Sequence, residues 1–439
     1  MNPQRPSSAT FRLPREKLRY WACVLGVCLL AACALPRKNA PPGPFNSATP
    51  VGFSPDIRHL STDRPYIEAT IKENLERMRK RSNGGPLRIL ALSGGGAGGA
   101  FGAGALVGLS RRGERPQYDV VTGVSTGALL APFAFLGSEF DRQLTDAYTT
   151  GRGERTLTFH GVLGLLFGKG ARRSAVLKSL VDSFITSDVV EAVAREAATG
   201  RLLLVATTDL DNGEPVIWDM GKIAARGGDS ARKLFCDVLV ASASIPGLFR
   251  PVLIHVESGG TSYDEMHVDG NTATSMFVTP EAAYTIGFDP ASLKDTSVYV
   301  LMNSHLSSVS STTRGSLGSI LSRSFAVALT HMARAQITAV RQLADQYGVS
   351  FRLTWIPVDY TGVISFQAAT MRALFDYGAR CGESGRLWAT IEQAFDHETV
   401  VRSAVKGTTA AGAERPSCPL LDASVAHDPE KAAGRGADQ

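Results

Sequence analysis

The sequence predicts an α/β protein in which buried parallel strands alternate with helices. An apolar run at residues 87–92 and a second strand-like stretch at residues 118–121 are each followed by a glycine-rich turn and then by small, apolar residues. Largely apolar strands are typical of a parallel sheet covered by helices on both faces. Helical and strand patterns continue to alternate to about residue 400, which predicts one α/β domain over residues 86–400.

The composition also fits a globular protein, with 439 residues of which 44% are hydrophobic and 20% charged. Most of the net charge of +5 lies at the amino terminus. Residues 1–32 contain five basic residues and a single acidic residue, Glu16. The remainder of the chain is nearly neutral. Such a charge balance gives no case for a nucleic-acid partner.

The first 34 residues have the pattern of a secretory signal. A basic stretch ends at Arg19, and the apolar stretch that follows, residues 20–34, is shorter than the roughly 20 residues that span a bilayer. It ends in Leu30-Ala31-Ala32-Cys33, which resembles the lipobox of bacterial lipoproteins. The resemblance implies a lipoprotein signal peptide at 1–32 and lipidation of Cys33. The alternative is an ordinary signal peptide in which the cysteine is coincidental.

By the same resemblance, the protein is lipid-anchored in the bacterial cell envelope. Ala34, which follows the cysteine, implies the outer membrane if the source is Gram-negative. A proline-rich stretch then predicts an extended tether over residues 33–63. Residues 64–85 follow as an amphipathic helix and linker.

Two further segments and the cysteines complete the organisation. The glycine-bounded apolar stretch 161–168 is either a buried core segment or a lid that faces lipid. Residues 407–439 lack periodicity and predict a disordered tail. Beyond the leader and Cys33 only Cys236, Cys381 and Cys418 remain, with no metal-binding spacing, and one disulfide is compatible with an oxidising compartment. We therefore expect no metal and no cofactor.

The first glycine-rich turn, Gly94 to Gly99, satisfies the G-x-G-x-x-G pattern of dinucleotide-binding folds. That fold also requires an acidic residue at the end of the second strand, whereas Glu114 and Asp119 precede the apolar part of that strand here. A P-loop is excluded more firmly because no Gly-Lys-Ser/Thr follows the glycines. The turn is better explained as a bed of backbone N–H groups.

The second turn has the sequence Gly123-Val124-Ser125-Thr126-Gly127, which matches the G-x-S-x-G nucleophile elbow between a strand and a helix. A serine nucleophile needs a base, and none of the eight histidines is excluded by its spacing. Asp269, which precedes Gly270 after an alternating stretch, is the better local candidate. His267 lies two positions earlier and is either a third member of the site or a structural residue.

These motifs, in this order, resemble the patatin-like phospholipases. The matching blocks are Gly94-Gly95-Gly96 with Gly99, the Ser125 elbow, the stretch 206–215, the Ile-Pro segment at 242–252, and Asp269-Gly270. The resemblance implies a three-layer patatin-like fold with a central, mostly parallel sheet flanked by helices. It also implies a Ser125–Asp269 dyad, an oxyanion hole formed by the N–H groups of Gly94, Gly95 and Gly96, and a membrane lipid as the substrate.

Two departures from the family pattern leave other functions open. The family commonly has Arg or Lys where this chain has Gly98, and Asn271 replaces a small residue after Asp-Gly. The leading hypothesis is a serine acyl hydrolase that cleaves carboxylic esters of phospholipids, lysophospholipids or related acyl lipids. The alternatives are a catalytically impaired lipid-binding lipoprotein and an acyltransferase that uses the same dyad.

Overall fold

The computed structural model describes residues 36–41, 48–151, 169–307, 312–358, 360, 364–405 and 417–420. The predicted signal peptide, Cys33, the apolar stretch 161–168 and most of the predicted tail lie outside these residues. All secondary structure given below belongs to one compact unit, Asn39–Gln439. No helix in the described part of the chain is both long and apolar enough to cross a bilayer.

A single ten-stranded sheet forms the centre of this unit. Its main path runs β1-β7-β8-β5-β4-β3-β9-β10, while β6 pairs with β5 and β2 with β6. Pairing is parallel from β5 through β4, β3 and β9 to β10, and antiparallel elsewhere. The strands are β1 Thr49–Pro50, β2 Arg58–Leu60, β3 Arg88–Leu92, β4 Val120–Val124, β5 Leu202–Asp209, β6 Glu214–Asp219, β7 Val252–Ser258, β8 Thr261–Asp269, β9 Ser297–Leu301 and β10 Ser350–Thr354.

Helices cover both faces of the sheet, as successive side chains of β3 show. Leu90 and Leu92 enter the larger hydrophobic core, whereas Ala91 enters a separate core on the other face. The predicted α/β class is confirmed. The helices are α1 Arg64–Arg81, α2 Gly99–Arg112, α3 Thr126–Leu136, α4 Asp141–Thr149, α5 Lys169–Phe184, α6 Ser187–Ala198, α7 Met220–Ala225, α8 Gly228–Ser242, α9 Leu317–Gln346, α10 Ala368–Glu383 and α11 Ile391–Val405.

The small residues of α2 serve a close helix–helix contact. A Cβ on Gly104 or Gly108 would overlap the backbone carbonyls of Phe375 and Ala379 in α10. Gly378 in α10 approaches the backbone of α2 equally closely. This contact fixes α2, whose amino terminus begins directly after the first glycine-rich turn.

The structure also shows how the helix α1 begins and how one hairpin turns. Asp63 accepts a hydrogen bond from the N–H of Tyr66 and caps α1, which spans the predicted helix. The hydrophobic periodicity of the sequence does not by itself predict the hairpin of β7 and β8. Its turn contains Gly259 and Gly260, both with positive φ, and a Gly-Gly pair between alternating runs is a known hairpin signal.

Within the predicted disordered tail, four described residues are ordered, and there the structure differs from the prediction. Cys418 is buried and forms a disulfide with Cys381 of α10. The hydroxyl of Tyr377 donates to the carbonyl of Ser417 at 2.6 Å, and the N–H of Leu420 donates to the carbonyl of Arg386 at 3.0 Å. These bonds hold residues 417–420 against the domain.

Candidate active site

Two strands that pair with the same edge of β5 bring the candidate catalytic residues together. β4 runs parallel to β5 and pairs Val124 with Ala206 at its last residue. β8 runs antiparallel to β5 and pairs its last residue, Asp269, with Thr207. Since Ala206 and Thr207 are consecutive, the ends of β4 and β8 meet, and Ser125 and Asp269 become neighbours although 144 positions separate them.

Ser125 occupies a sharp turn between β4 and α3. Its φ of 56° lies in the left-handed region, which is unfavourable for a residue with a side chain and is typical of a nucleophile elbow. The flanking glycines are required by close backbone approach. A Cβ on Gly123 would lie 2.6 Å from the carbonyl oxygen of Gly127, and one on Gly127 would overlap the carbonyl of Leu92.

The Ser125 hydroxyl donates a hydrogen bond of 2.6 Å to Oδ2 of Asp269. The other carboxylate oxygen, Oδ1, accepts the N–H of Asn271 at 2.8 Å. Asp269 is only 2% exposed, and burial raises its pKa to about 7, against the lowering effect of these two hydrogen bonds. A carboxyl group with this pKa can accept and return a proton at neutral pH.

Further hydrogen bonds hold the two residues in place, and they involve two hydroxyl groups that were not predicted from the sequence. The Ser242 hydroxyl accepts the N–H of Ser125 at 3.0 Å and donates to the carbonyl of Ala206 at 2.7 Å. The Thr208 hydroxyl donates to the carbonyl of Asp269 at 3.1 Å. Ser242 lies within the Ile-Pro segment of the resemblance, so that segment supports the elbow.

The glycine-rich turn after β3 lies beside Ser125, but its three N–H groups are not equivalent. The N–H of Gly94 donates to the carbonyl of Ser275 at 3.0 Å, so the prediction that Gly94 contributes a free oxyanion donor is not met. Among the described residues, the N–H groups of Gly95 and Gly96 have no hydrogen-bond acceptor. The available part of the predicted oxyanion hole is therefore Gly95 and Gly96.

Asn303 explains why this chain has a glycine where the family commonly has a cation. A Cβ on either Gly95 or Gly98 would overlap the Asn303 carbonyl oxygen. Asn303 itself is fixed by two bonds, from its Nδ2 to the carbonyl of Ser93 at 2.7 Å and from its N–H to the Ser93 hydroxyl at 2.8 Å. No side chain fits at position 98 in this arrangement.

His267 is a structural residue rather than a member of the catalytic site. It is fully buried, and its ring nitrogens lie 3.1 Å from Oε2 of Glu265 and 3.0 Å from the hydroxyl of Thr207. With both nitrogens occupied away from Ser125, it does not complete a triad.

Within the described part of the chain, one cluster of side chains is close enough to hold a metal ion. It consists of Asp209, Glu265 and His267. Arg58 forms an ion pair with Glu265 there. Burial opposes ionisation of Glu265, yet the hydrogen bonds from Arg58 and His267 lower its pKa to about 2. The Arg58 guanidinium already supplies the positive charge, so the cluster is a buried ion-pair network.

Two cavities meet at Ser125. The smaller, about 100 Å³, is lined almost entirely by apolar side chains, including Leu129, Phe184 and Met371. The larger, about 460 Å³, is lined by the glycine-rich turn, Asp269, His305 and Arg323. An ester held at Ser125 would thus have an apolar compartment on one side and a wider, more polar one on the other.

Comparison with known proteins gives a family match over the part of the chain that holds this candidate site. Residues 90–281 match the family model described as "Patatin-like phospholipase". This match spans the glycine-rich turn, the elbow and Asp269, so residues 90–281 are similar to the patatin-like phospholipases, a family of lipid acyl hydrolases. It does not address the predicted lipoprotein leader.

A search of the curated proteins gave no match. Among solved structures, the chain is similar to VipD from Legionella pneumophila, with 12% identity, 79% of this chain and 73% of the other covered, and a TM-score of 0.31. At that TM-score the likeness carries no weight for fold or function.

Proposed function

We propose that this protein hydrolyses carboxylic esters of phospholipids, lysophospholipids or related acyl lipids through Ser125 and Asp269. The observation that carries the proposal is the 2.6 Å hydrogen bond from the Ser125 hydroxyl to the buried Asp269 carboxylate at a strained elbow. The family match supports the broader class of lipid acyl hydrolase.

In the first half-reaction, Asp269 accepts the hydroxyl proton while Oγ of Ser125 attacks the ester carbonyl carbon. The carbonyl oxygen gains the negative charge, and the N–H groups of Gly95 and Gly96 stabilise it. Loss of one such donor typically costs about 10²–10³ in rate. As the intermediate collapses, the alcohol part leaves with the proton from Asp269, and the acyl group stays on Ser125.

In the second half-reaction, Asp269 accepts a proton from water, and the hydroxide attacks the acyl-serine carbonyl. The same N–H groups stabilise the second intermediate. Collapse returns the proton from Asp269 to Oγ of Ser125 and releases the fatty acid. The raised pKa of Asp269 suits both directions of proton transfer, because the ionised and protonated forms have similar free energies near neutral pH.

The cavities support a substrate with one apolar and one polar end. The smaller cavity places Leu180, Val181 and Phe249 where an acyl chain would lie. The larger has Arg323 in its lining, and the positive charge of this residue favours an anionic head group nearby. This arrangement favours an acyl lipid with an anionic head over a small neutral ester.

The test combines covalent labelling with lipid-product analysis. A fluorophosphonate should label the wild type and the matched control Ser183→Ala, which changes an exposed serine on α5. Ser125→Ala should lose the label, and Ser125→Ala and Asp269→Asn should each lose fatty-acid release from mixed phospholipids by at least about 10³-fold. Full activity in both variants would refute the dyad.

The same experiment distinguishes the catalytically impaired lipoprotein, an alternative raised by Gly98. The Asn303 contact gives Gly98 a packing reason, which weakens the case for lost catalysis. Stable labelling at Ser125 without any lipid turnover would favour the impaired protein. Transfer of the acyl group to an added alcohol in preference to water would favour the acyltransferase.

We further propose that the protein is a lipid-anchored component of the bacterial cell envelope, attached through Cys33. The lipobox-like Leu30–Cys33 sequence supports it, as does the Cys381–Cys418 disulfide, since disulfides persist in oxidising compartments. Metabolic labelling with a palmitate analogue should mark the wild type and not Cys33→Ser. Equal labelling of both would refute the anchor.

A further inference from the structure

The longest helix, α9, has an amino-terminal half without a buried residue. Its buried side chains are Ala333, Ile337, Val340 and Ala344, all in the carboxyl-terminal half. Residues 317–332 therefore extend for about four turns, roughly 24 Å, with no side chain in a hydrophobic core. This half of α9 therefore has surface that the described domain does not cover.

This half is apolar on its exposed side. Leu317 is 73% exposed, Leu321 60%, Ile320 46% and Phe325 41%. Spacings of three and four residues place these four side chains on one face. They make up the larger part of the exposed large hydrophobic side chains in the described residues, which makes this face a candidate contact surface.

The segment that carries the apolar face is also positively charged. The sequence contains no Asp or Glu between Asp295 and Asp345, whereas Arg314, Arg323, Arg334 and Arg341 lie in that interval. Apolar side chains together with arginines, and without acidic residues, are typical of helices that lie in the interface of an anionic membrane. Charge complementarity therefore selects an anionic lipid surface as the occupant.

The apolar face is continuous with the candidate active site. Phe325 belongs to the exposed set and also lines the larger cavity beside Ser125, together with Arg323, Ala326 and Leu329 of the same helix. The carboxyl-terminal half of α9 is fixed to the loop that follows β8 and Asp269. There, Oε1 of Gln336 accepts hydrogen bonds from the N–H groups of Ser275 and Met276. A lipid at this face would be next to the cavity that contains Asp269.

We propose that residues 317–325 insert into the surface of an anionic membrane and that lipid enters the larger cavity past Phe325. The role of this membrane contact in substrate entry rests on the proposed lipid acyl hydrolase function. The primary test of the contact does not. The membrane contact is independent of whether Ser125 reacts. It is also independent of the predicted Cys33 anchor, since it concerns which face meets the lipid.

The primary test measures depth in the membrane with a tryptophan. Full-length Leu321→Trp, and separately Leu317→Trp, are mixed with vesicles of phosphatidylcholine and phosphatidylglycerol that contain brominated acyl chains. Bromine quenches tryptophan within the acyl region, so we expect at least a twofold loss of the added fluorescence. Val51→Trp, at an exposed apolar residue far from α9 in sequence, should show no added quenching.

The second test measures function with the double variant Leu317→Asp/Leu321→Asp. Turnover of phospholipid in anionic vesicles should fall by at least about tenfold, because both side chains lose the gain from apolar burial. Turnover of a soluble short-chain ester should stay the same, since neither residue lines the cavity. Loss of both activities together would refute the proposal.

The outcomes separate this proposal from the proposed function. Quenching in Leu321→Trp without turnover of any ester would retain the membrane contact and refute the hydrolase. Absence of quenching with normal turnover would refute the membrane contact alone. A blue-shifted but unquenched emission from the tryptophan of Leu321→Trp would also refute the membrane contact, because it would show that protein covers this face. Light scattering would then show whether a second copy of the chain covers it.

Discussion

Replacing Asp269 by asparagine should make the protein more stable at neutral and alkaline pH while abolishing its proposed chemistry. Asn is nearly isosteric with Asp at this site. Its carbonyl oxygen can accept the N–H of Asn271, and its amide can donate to the Ser125 hydroxyl. The two hydrogen bonds of 2.8 and 2.6 Å are thus retained with one direction reversed.

The magnitude follows from the raised pKa. An Asp in the unfolded chain has a pKa of about 3.9, whereas burial raises that of Asp269 to about 7 in the folded protein. The folded state therefore binds more protons than the unfolded state between these values, and the free energy of unfolding falls as pH rises through that window. A difference of about 3 pKa units corresponds to about 4 kcal/mol at pH 8.

Urea denaturation of the wild type and Asp269→Asn at several pH values between 4 and 8 measures this difference. The variant should match the wild type near pH 4 and gain about 1.4 kcal/mol of relative stability per pH unit up to about pH 7. Other ionisable groups cancel in the comparison. Asp396→Asn, which removes an exposed carboxylate of α11, is the matched control and should show no such slope.

A stability difference that does not change with pH would contradict this prediction. It would mean that the ionised Asp269 is not destabilised by burial. A wild type that became relatively more stable with rising pH would show the opposite sign, namely a carboxylate stabilised in its charged form. In either case the assignment of Asp269 as a base active near pH 7 would also fall.

Three further predictions concern other parts of the site and fold. The rate of ester hydrolysis should rise between about pH 6 and 8 with an apparent pKa near 7, because only ionised Asp269 accepts the proton; a rate already maximal at pH 5 would contradict this. Gly98→Ala should lower the free energy of unfolding by roughly 1–3 kcal/mol and reduce turnover, because its Cβ overlaps the Asn303 carbonyl; unchanged urea midpoint and turnover would show that Asn303 yields. Cys418→Ser should lower the free energy of unfolding by up to about 4 kcal/mol for a separation of 37 residues, and a reducing agent should remove the difference between variant and wild type.

Much of the local structure could be predicted from the sequence because it depends on short-range chemistry. The apolar run of β3, the glycines that flank Ser125 and the Asp63 cap of α1 each specify a strand, a turn or a helix start within a few residues. The β7–β8 hairpin carried its own signal in Gly259-Gly260.

Other features could not be predicted from short-range patterns, because they depend on which strands pair. One case is which N–H groups of the glycine-rich turn are free. The N–H of Gly94 donates to the carbonyl of Ser275, which lies in the loop after β8. The reason for Gly98 is another, since it is the carbonyl of a residue 205 positions away in the chain.

By itself, the sequence determined the α/β class, the elbow at Ser125 and the candidate base Asp269, because those motifs are local and their order matches a family. The tertiary structure decided whether the two residues meet. They do so because β4 and β8 end at the consecutive residues Ala206 and Thr207 of β5, from opposite directions. The same burial that this meeting requires raises the pKa of Asp269, which no local pattern encodes.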